Sequence, residues 1–143
     1  MKSQGTTFTA IAAAGLSASR MRADVSAANL ANKESASYKR RDVFQTALPI
    51  PLSEGSFSST LDRQTLMKPS VYAILEDQSP PNMQYQPNHP EANAEGYVAL
   101  PNVNIVGEMT NMMSALRLYQ ANLTAMEAGR EMSSAARSLL TQA

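Results

Sequence analysis

His89, the acidic pair Glu76-Asp77 and the basic run Lys39-Arg40-Arg41 are the side chains whose types and spacing could do chemistry. His89 lies in Pro87-Asn88-His89-Pro90-Glu91, where an imidazole beside a carboxylate could shuttle a proton. No nucleophile motif stands near it, and the flanking prolines put it on a loop. Glu76-Asp77 precedes a Pro-rich turn; it could hold a cation or form the solvated end of a strand. Lys39-Arg40-Arg41 could meet nucleic acid, anionic lipid or an acidic protein surface, and three charges suit the last of these best. There is no Cys, which excludes disulfides and thiolate chemistry, and a single His excludes a multi-histidine metal site within one chain. The six glycines are scattered, so no phosphate-cradling loop exists. No catalytic, cofactor-binding or metal-binding residue is assigned; a structural or binding protein is expected rather than an enzyme.

Charge and proline show what must position these groups. The 143 residues carry 12 basic and 12 acidic side chains, and 43% are apolar, enough for one domain. Nucleic acid is not an expected partner, since a phosphate binder carries a basic excess. The charges are segregated: residues 1–41 are net +5, residues 42–101 net −5, and residues 102–143 neutral. All eight prolines fall between Pro49 and Pro101. Proline breaks helix interiors, so both ends are open to long helices. The chain divides into an N-terminal helix (1–36), a small β/loop element (37–101) and a C-terminal helix (102–143).

At the N-terminal end, Ile11, Ala14, Ala18, Met21, Val25 and Ala28 recur at three- and four-residue steps, which predicts a helix over Thr6 to Asn32 buried along one seam, with a second, thinner stripe through Ala12, Leu16, Ala23 and Leu30. Asn29 and Asn32 mark its end. At the C-terminal end, Ile105, Met109, Met112, Leu116, Tyr119, Leu123 and Met126 keep the same spacing, predicting a helix over Val103 to Leu140 capped by Asn102 or Asn104. A second register holds Leu118, Ala121, Ala125, Ala128, Met132, Ala135 and Leu139. It either widens the intramolecular seam or faces other subunits, and the small residues and adaptable methionines suit close approach by a second surface. The fold expected is mainly α: long terminal helices paired as a coiled-coil-like hairpin, with a small Pro-rich β element between them.

In the middle, Val43 to Leu48, Val71 to Leu75, Met83 to Tyr85 and Tyr97 to Leu100 are short strand-like runs bounded by Pro, Gly and Ser. Leu52 to Thr60 is Ser-rich and reads as a loop; Gln78 to Asn93 reads as an extended connection. Phe8 to Leu16 is Ala-rich, too weakly apolar for the core of a secretory signal, and no run approaches the ~20 apolar residues of a membrane span.

The ends carry a matched pair of motifs. Ser26 to Arg41, which includes Asn29-Leu30-Ala31-Asn32 and closes on Tyr38-Lys39-Arg40-Arg41, resembles the Asn-x-Ala-Asn signature of bacterial flagellar rod and hook proteins. Gly96-Tyr97-Val98-Ala99-Leu100-Pro101-Asn102-Val103-Asn104 resembles that family's junction into its C-terminal helix. The Pro-rich stretch from Glu76 to Pro90 is similar to a short member found in the proximal rod. Ser37 stands where the family often has Gly before the Tyr.

This resemblance implies a structural subunit of the proximal rod in the periplasm, a tubular driveshaft that transmits torque and encloses the export channel. It implies export through the flagellar type III apparatus without a cleaved signal. The partners implied are copies of itself, other rod subunits and the motor-ring adaptor, with no direct membrane span. The residues expected in helix packing and assembly, read from the helical spacing together with the motif asparagines, are Ile11, Ala18, Met21, Val25, Asn29, Asn32, Met109, Met112, Leu116, Tyr119, Leu123, Ala125, Met126, Ala128, Met132 and Leu139. Tyr38, Arg40, Gly96, Tyr97, Val98, Pro101 and Asn102 are assigned to the family motif. The competing readings are a cytosolic coiled-coil adaptor or export chaperone, which has no reason to carry both end motifs, and a small cytoplasmic enzyme, which would need convergent polar groups where the sequence offers one His and no catalytic motif.

Overall fold

The proline-free, Ala-rich N-terminal segment forms helix α1, Lys2–Ala31, in the computed structural model, which describes residues 2–50 and 67–141. Strands β1 (Arg41–Pro49) and β2 (Met67–Glu76) pair antiparallel, from Arg41↔Glu76 to Pro49↔Met67. Their register shifts at Phe44/Gln45, leaving Tyr72 as the extra residue of a bulge. Strands β3 (Asn82–Tyr85) and β4 (Tyr97–Leu100) form a second antiparallel pair, and helix α2, Ile105–Thr141, follows. Asn104 caps α2: its Oδ1 accepts from the Gly107 N–H at 3.1 Å, satisfying one of the free donors of the first turn. At 37 residues α2 is roughly 55 Å long. The Ser-rich run Leu52 to Thr60 lies outside the described residues.

The two helices run antiparallel. Phe8 lies against Gly129, Gly15 against Asn122, and Arg22 and Ser26 beside Glu108 and Asn111. On α1 the buried row is Ala12, Gly15, Ser19, Ser26 and Asn29, with Arg22 half-buried between. On α2 it is Glu108, Ala115 and Gly129, with Met112, Tyr119, Asn122, Met126 and Ser133 half-buried. Both rows keep three- and four-residue steps, but they consist largely of small and polar residues. A Cβ on Gly15 would sit 2.8 Å from Asn122 Nδ2, and one on Gly129 would overlap the Phe8 ring.

This architecture overturns the expected mainly-α, coiled-coil-like hairpin with a minor β element. The described residues build two helices plus two small antiparallel sheets, with α1 ending at Ala31 and the four described strands lying between the helices. The reasons are physical. Backbone pairing extends β1 and β2 well past their β-branched runs, through polar positions that contribute to the ladder regardless of side chain. Both strands pack against α1, with Gln45 Nε2 donating to the Ala18 carbonyl at 3.4 Å, so α1 divides its surface between α2 and a sheet. On α1 the seam departs from the apolar count at some positions: Ala12, Ala18 and Ser19 are buried, while Ile11 is half-buried and Met21 exposed.

Candidate functional site: a polar joint between helices and strands

Asn29 is the last buried residue of α1, 1% exposed, and both the nitrogen and the oxygen of its amide are hydrogen-bonded. Its Nδ2 donates to the Arg41 carbonyl at 2.7 Å, and its Oδ1 accepts from the Arg41 N–H at 2.9 Å and the Tyr38 hydroxyl at 2.8 Å. Asn32 Nδ2 donates back to the Ala28 carbonyl at 2.8 Å, closing the helix end. Two short turns, Ser35 N–H to Asn32 and Tyr38 N–H to Ser35, carry the chain from helix to strand. A buried polar group is costly unless bonded, so Asn29 fixes where β1 begins.

Arg40 supplies the second half of the joint. Its Nε donates to Glu108 Oε1 at 2.7 Å, and its Nη1 lies 3.2 Å from Asp42 Oδ2 and 3.5 Å from Asp77 Oδ2. Glu108 is 3% exposed and sits in the first turn of α2, where a negative charge also suits the helix dipole. Burial pulls the Arg40 guanidinium down, but the hydrogen bond and charge of Glu108, with Asp42, outweigh it and leave Arg40 above its usual value. Asp77 is held below the usual carboxylate range, first by hydrogen bonds from Ser79 and then by Arg40. Burial pushes the Tyr38 phenol up; Arg41, 5.7 Å from the ring centre, pulls it part-way back, while Glu108 and Glu76 push it up further. Arg41 and Lys39 reach Glu76 at 3.7 and 4.0 Å. The acidic surface that the basic run meets is therefore the chain's own, and the net +5 and net −5 segments meet within one molecule.

Gly96 forms the second motif's turn with φ +82°, a left-handed backbone that glycine adopts without strain. Asn93 Oδ1 accepts from the Glu95 and Tyr97 N–H groups, and Tyr97 packs edge-on to Tyr85 at 5.3 Å. Val98 is fully buried and Pro101 is buried, while Asn102 is exposed just before the capping Asn104. A cleft of about 320 Å³ opens between residues 36–40, residues 77–81 and Ala99, Pro101 and Asn102. His89 sits on the β3–β4 loop, its Nδ1 accepting from the Glu91 N–H at 3.2 Å. Among the described residues no His, Asp and Glu cluster could hold a metal ion, and no helix is long and apolar enough to cross a membrane.

Asn29, Asn32, Tyr38, Arg40 and Arg41 of this joint belong to the first end motif, the Gly96 turn belongs to the second, and whole-chain comparison extends the likeness. The chain is 38% identical to the flagellar basal-body rod protein FlgC of Bacillus subtilis (strain 168), covering 85% of this chain and 89% of that one. It is 36% identical to FlgC of Borreliella burgdorferi, covering 91% and 93%. FlgC of Salmonella typhimurium (strain LT2) is 34% identical, over 85% and 87%. The chain belongs to the FlgC family of flagellar basal-body rod proteins. A family model described as the flagellar basal body rod FlgEFG protein C-terminal region matches residues 94–139, which span the Gly96 turn and most of α2. As a FlgC-family member the chain is a structural subunit of the basal-body rod, and the resemblance read from its end motifs is confirmed.

Within this FlgC-family fold the assigned residues separate into groups. Asn29, Tyr38 and Arg40 come together in the joint, with Asn32 beside them. Gly96, Tyr97 and Val98 belong to the β3–β4 turn and sheet, and Pro101 and Asn102 lead into α2. Ala18 is buried, and Ile11, Val25, Met112, Tyr119, Leu123, Ala125 and Met126 are half-buried along the helix pair. Met21, Met109, Leu116, Ala128, Met132 and Leu139 are exposed, away from the seam. Sequence reasoning missed Glu108, Gly15 and Gly129. The small-residue heptad Ala12-Gly15-Ser19 was a usable signal for Gly15; nothing local marked Glu108 as the partner of an arginine 68 residues earlier.

Proposed function

We propose that this rod subunit joins the proximal rod in the periplasm through its two helices, 1–36 and 102–143 forming the assembling core and 37–101 an outer element. In this reading the helices line a torque-transmitting tube around the export channel. The contacts are with further copies and other rod subunits, with the motor-ring adaptor nearby, and the chain is delivered by the type III apparatus without a cleaved signal. The role is mechanical, with no catalytic step.

One observation carries the reading. Ile105, Val106, Met109, Met113, Leu116, Leu118, Met132 and Leu139 are all exposed on α2, a helix already packed along one face against α1. A soluble monomer gains nothing from eight large apolar side chains on one exposed helix, and burying them between subunits removes that surface from water. The polar joint then fixes the angle at which the strands leave the helix pair.

The test is Ala128→Asp, which places a charge on an exposed stretch of α2 far from the joint. Circular dichroism of the purified chain should match wild type, and cells carrying the variant should build few rods. Normal rod numbers would remove α2's outer face from the assembly contacts.

A further inference from the structure

Val106, Met109, Met113 and Leu116 follow three- and four-residue steps along α2 and are all exposed, with Met109 at 46% and Met113 at 52%. Ile105, also exposed, adjoins them, so two thioethers form the middle of an apolar patch that the fold leaves uncovered. Met112 and Met126, by contrast, are half-buried in the α1–α2 seam. The chain has nine methionines and no cysteine, so thioether sulfur is its only sulfur that a peroxide could oxidise.

We infer that Met109 and Met113 are a modification site for hydroperoxides, at which oxidation to the sulfoxide disables this patch as a subunit contact and leaves the fold intact. The sulfur lone pair attacks one peroxide oxygen; the S–O bond forms as the O–O bond breaks. Sulfur loses two electrons, the peroxide is reduced, and the departing hydroxide or alkoxide takes the proton carried by the transferred oxygen to leave as water or alcohol, which leaves the neutral sulfoxide. A flexible apolar side chain becomes polar and chiral at sulfur. In the seam that change would damage the helix pair; on the patch it alters only what the surface can bury. Met21, Met67, Met83 and Met132 are exposed as well, but Met21 lies on α1, Met67 and Met83 lie on strands and Met132 lies about five turns beyond Met113 on α2. Their oxidation should proceed without the same consequence.

The inference rests on α2 being an assembly surface. The test treats the full-length monomer with hydrogen peroxide, maps sulfoxides by mass spectrometry, and follows self-association by light scattering. Met109 and Met113 should oxidise several-fold faster than Met112 and Met126, as exposure dictates. The far-ultraviolet spectrum should stay unchanged and association should be lost. Methionine sulfoxide reductases with a thiol reductant should restore it. Met109→Leu/Met113→Leu should associate like wild type and resist peroxide; Met67→Leu/Met132→Leu should remain sensitive. Equal oxidation of seam and patch methionines, or full association after oxidation of both patch residues, overturns the inference. Failure of the untreated wild-type chain to associate under any condition overturns the assembly reading itself, and the inference with it.

Discussion

Asn29 and Arg41 hold each other as two residues in neighbouring strands do, one amide side chain standing in for a peptide group. Asn29 Nδ2 donates to the Arg41 carbonyl at 2.7 Å and its Oδ1 accepts from the Arg41 N–H at 2.9 Å. The helix thus begins the β ladder with a side chain, and β1 starts at the residue so held.

Asn29→Ala should strip both Arg41 backbone groups and the Tyr38 hydroxyl of a partner at a part-buried site. Leaving such groups unpaired costs about 2–3 kcal/mol in sum. Asn29→Asp keeps the acceptor, loses the donor and turns a negative charge on the Arg41 carbonyl, so it should not rescue. Urea unfolding followed by circular dichroism checks both; a midpoint for Asn29→Ala equal to wild type contradicts the role assigned to this amide.

The Arg40–Glu108 pair gives a coupled prediction. Arg40→Met leaves a carboxylate buried without its cation, a loss of about 3 kcal/mol for a pair only partly shielded from water. Arg40→Met/Glu108→Met removes the stranded charge and should recover most of that loss. A double-mutant cycle from chemical denaturation reads the coupling, and additive losses would show that the two side chains act independently.

Gly129 and Phe8 predict a steric couple in the helix seam. Gly129→Ala puts a methyl group into the Phe8 ring, and overpacking of this kind costs about 1–3 kcal/mol. Phe8→Leu in the same chain should return part of it. Thermal melts of the two single variants and the double variant check this; a neutral Gly129→Ala would mean that the ring moves aside freely.

Tyr38 predicts an alkaline limit. Its phenol is raised above the ordinary value of 10.0 because burial disfavours the anion. A group raised in the folded state contributes stability that is fully present below its unfolded pKa, about 10, and lost as pH rises through the folded value. The stability gap between wild type and Tyr38→Phe should therefore stay constant below pH ~9 and close above about 10. Denaturation across that range, with tyrosinate absorbance followed in parallel, is the measurement. A gap that persists at high pH removes the hydroxyl from the joint.

The helices were legible because proline is missing from both ends, and the strand kernels because Val43 to Leu48 and Val71 to Leu75 are β-rich. The seam was legible in part: apolar spacing selects Ala18, Met112, Tyr119 and Met126, which lie along the helix pair, but it also selects Ile11 and Met21, whereas the close approach of two helices selects Ala12, Gly15 and Ser19. The extent of β1 and β2 was hidden for a related reason: Lys68, Pro69 and Ser70 pair through the backbone, which composition does not record. Of the joint, Asn29, Tyr38 and Arg40 were visible as a motif. Glu108 was not, since a lone acid in the first turn of a helix is ordinary by itself.

The joint also sets an order of events for the folding chain. Its Asn29–Tyr38–Arg41 half closes over only 12 residues, whereas Arg40 reaches Glu108 across 68. The entropy of loop closure grows with the logarithm of length, and contact order slows the search for distant partners. The near clasp therefore forms first and waits, already holding the start of β1, for the far latch. A chain whose last third has not yet arrived is left with a half-fastened hinge, its arginine in water and its second helix free to choose a neighbour.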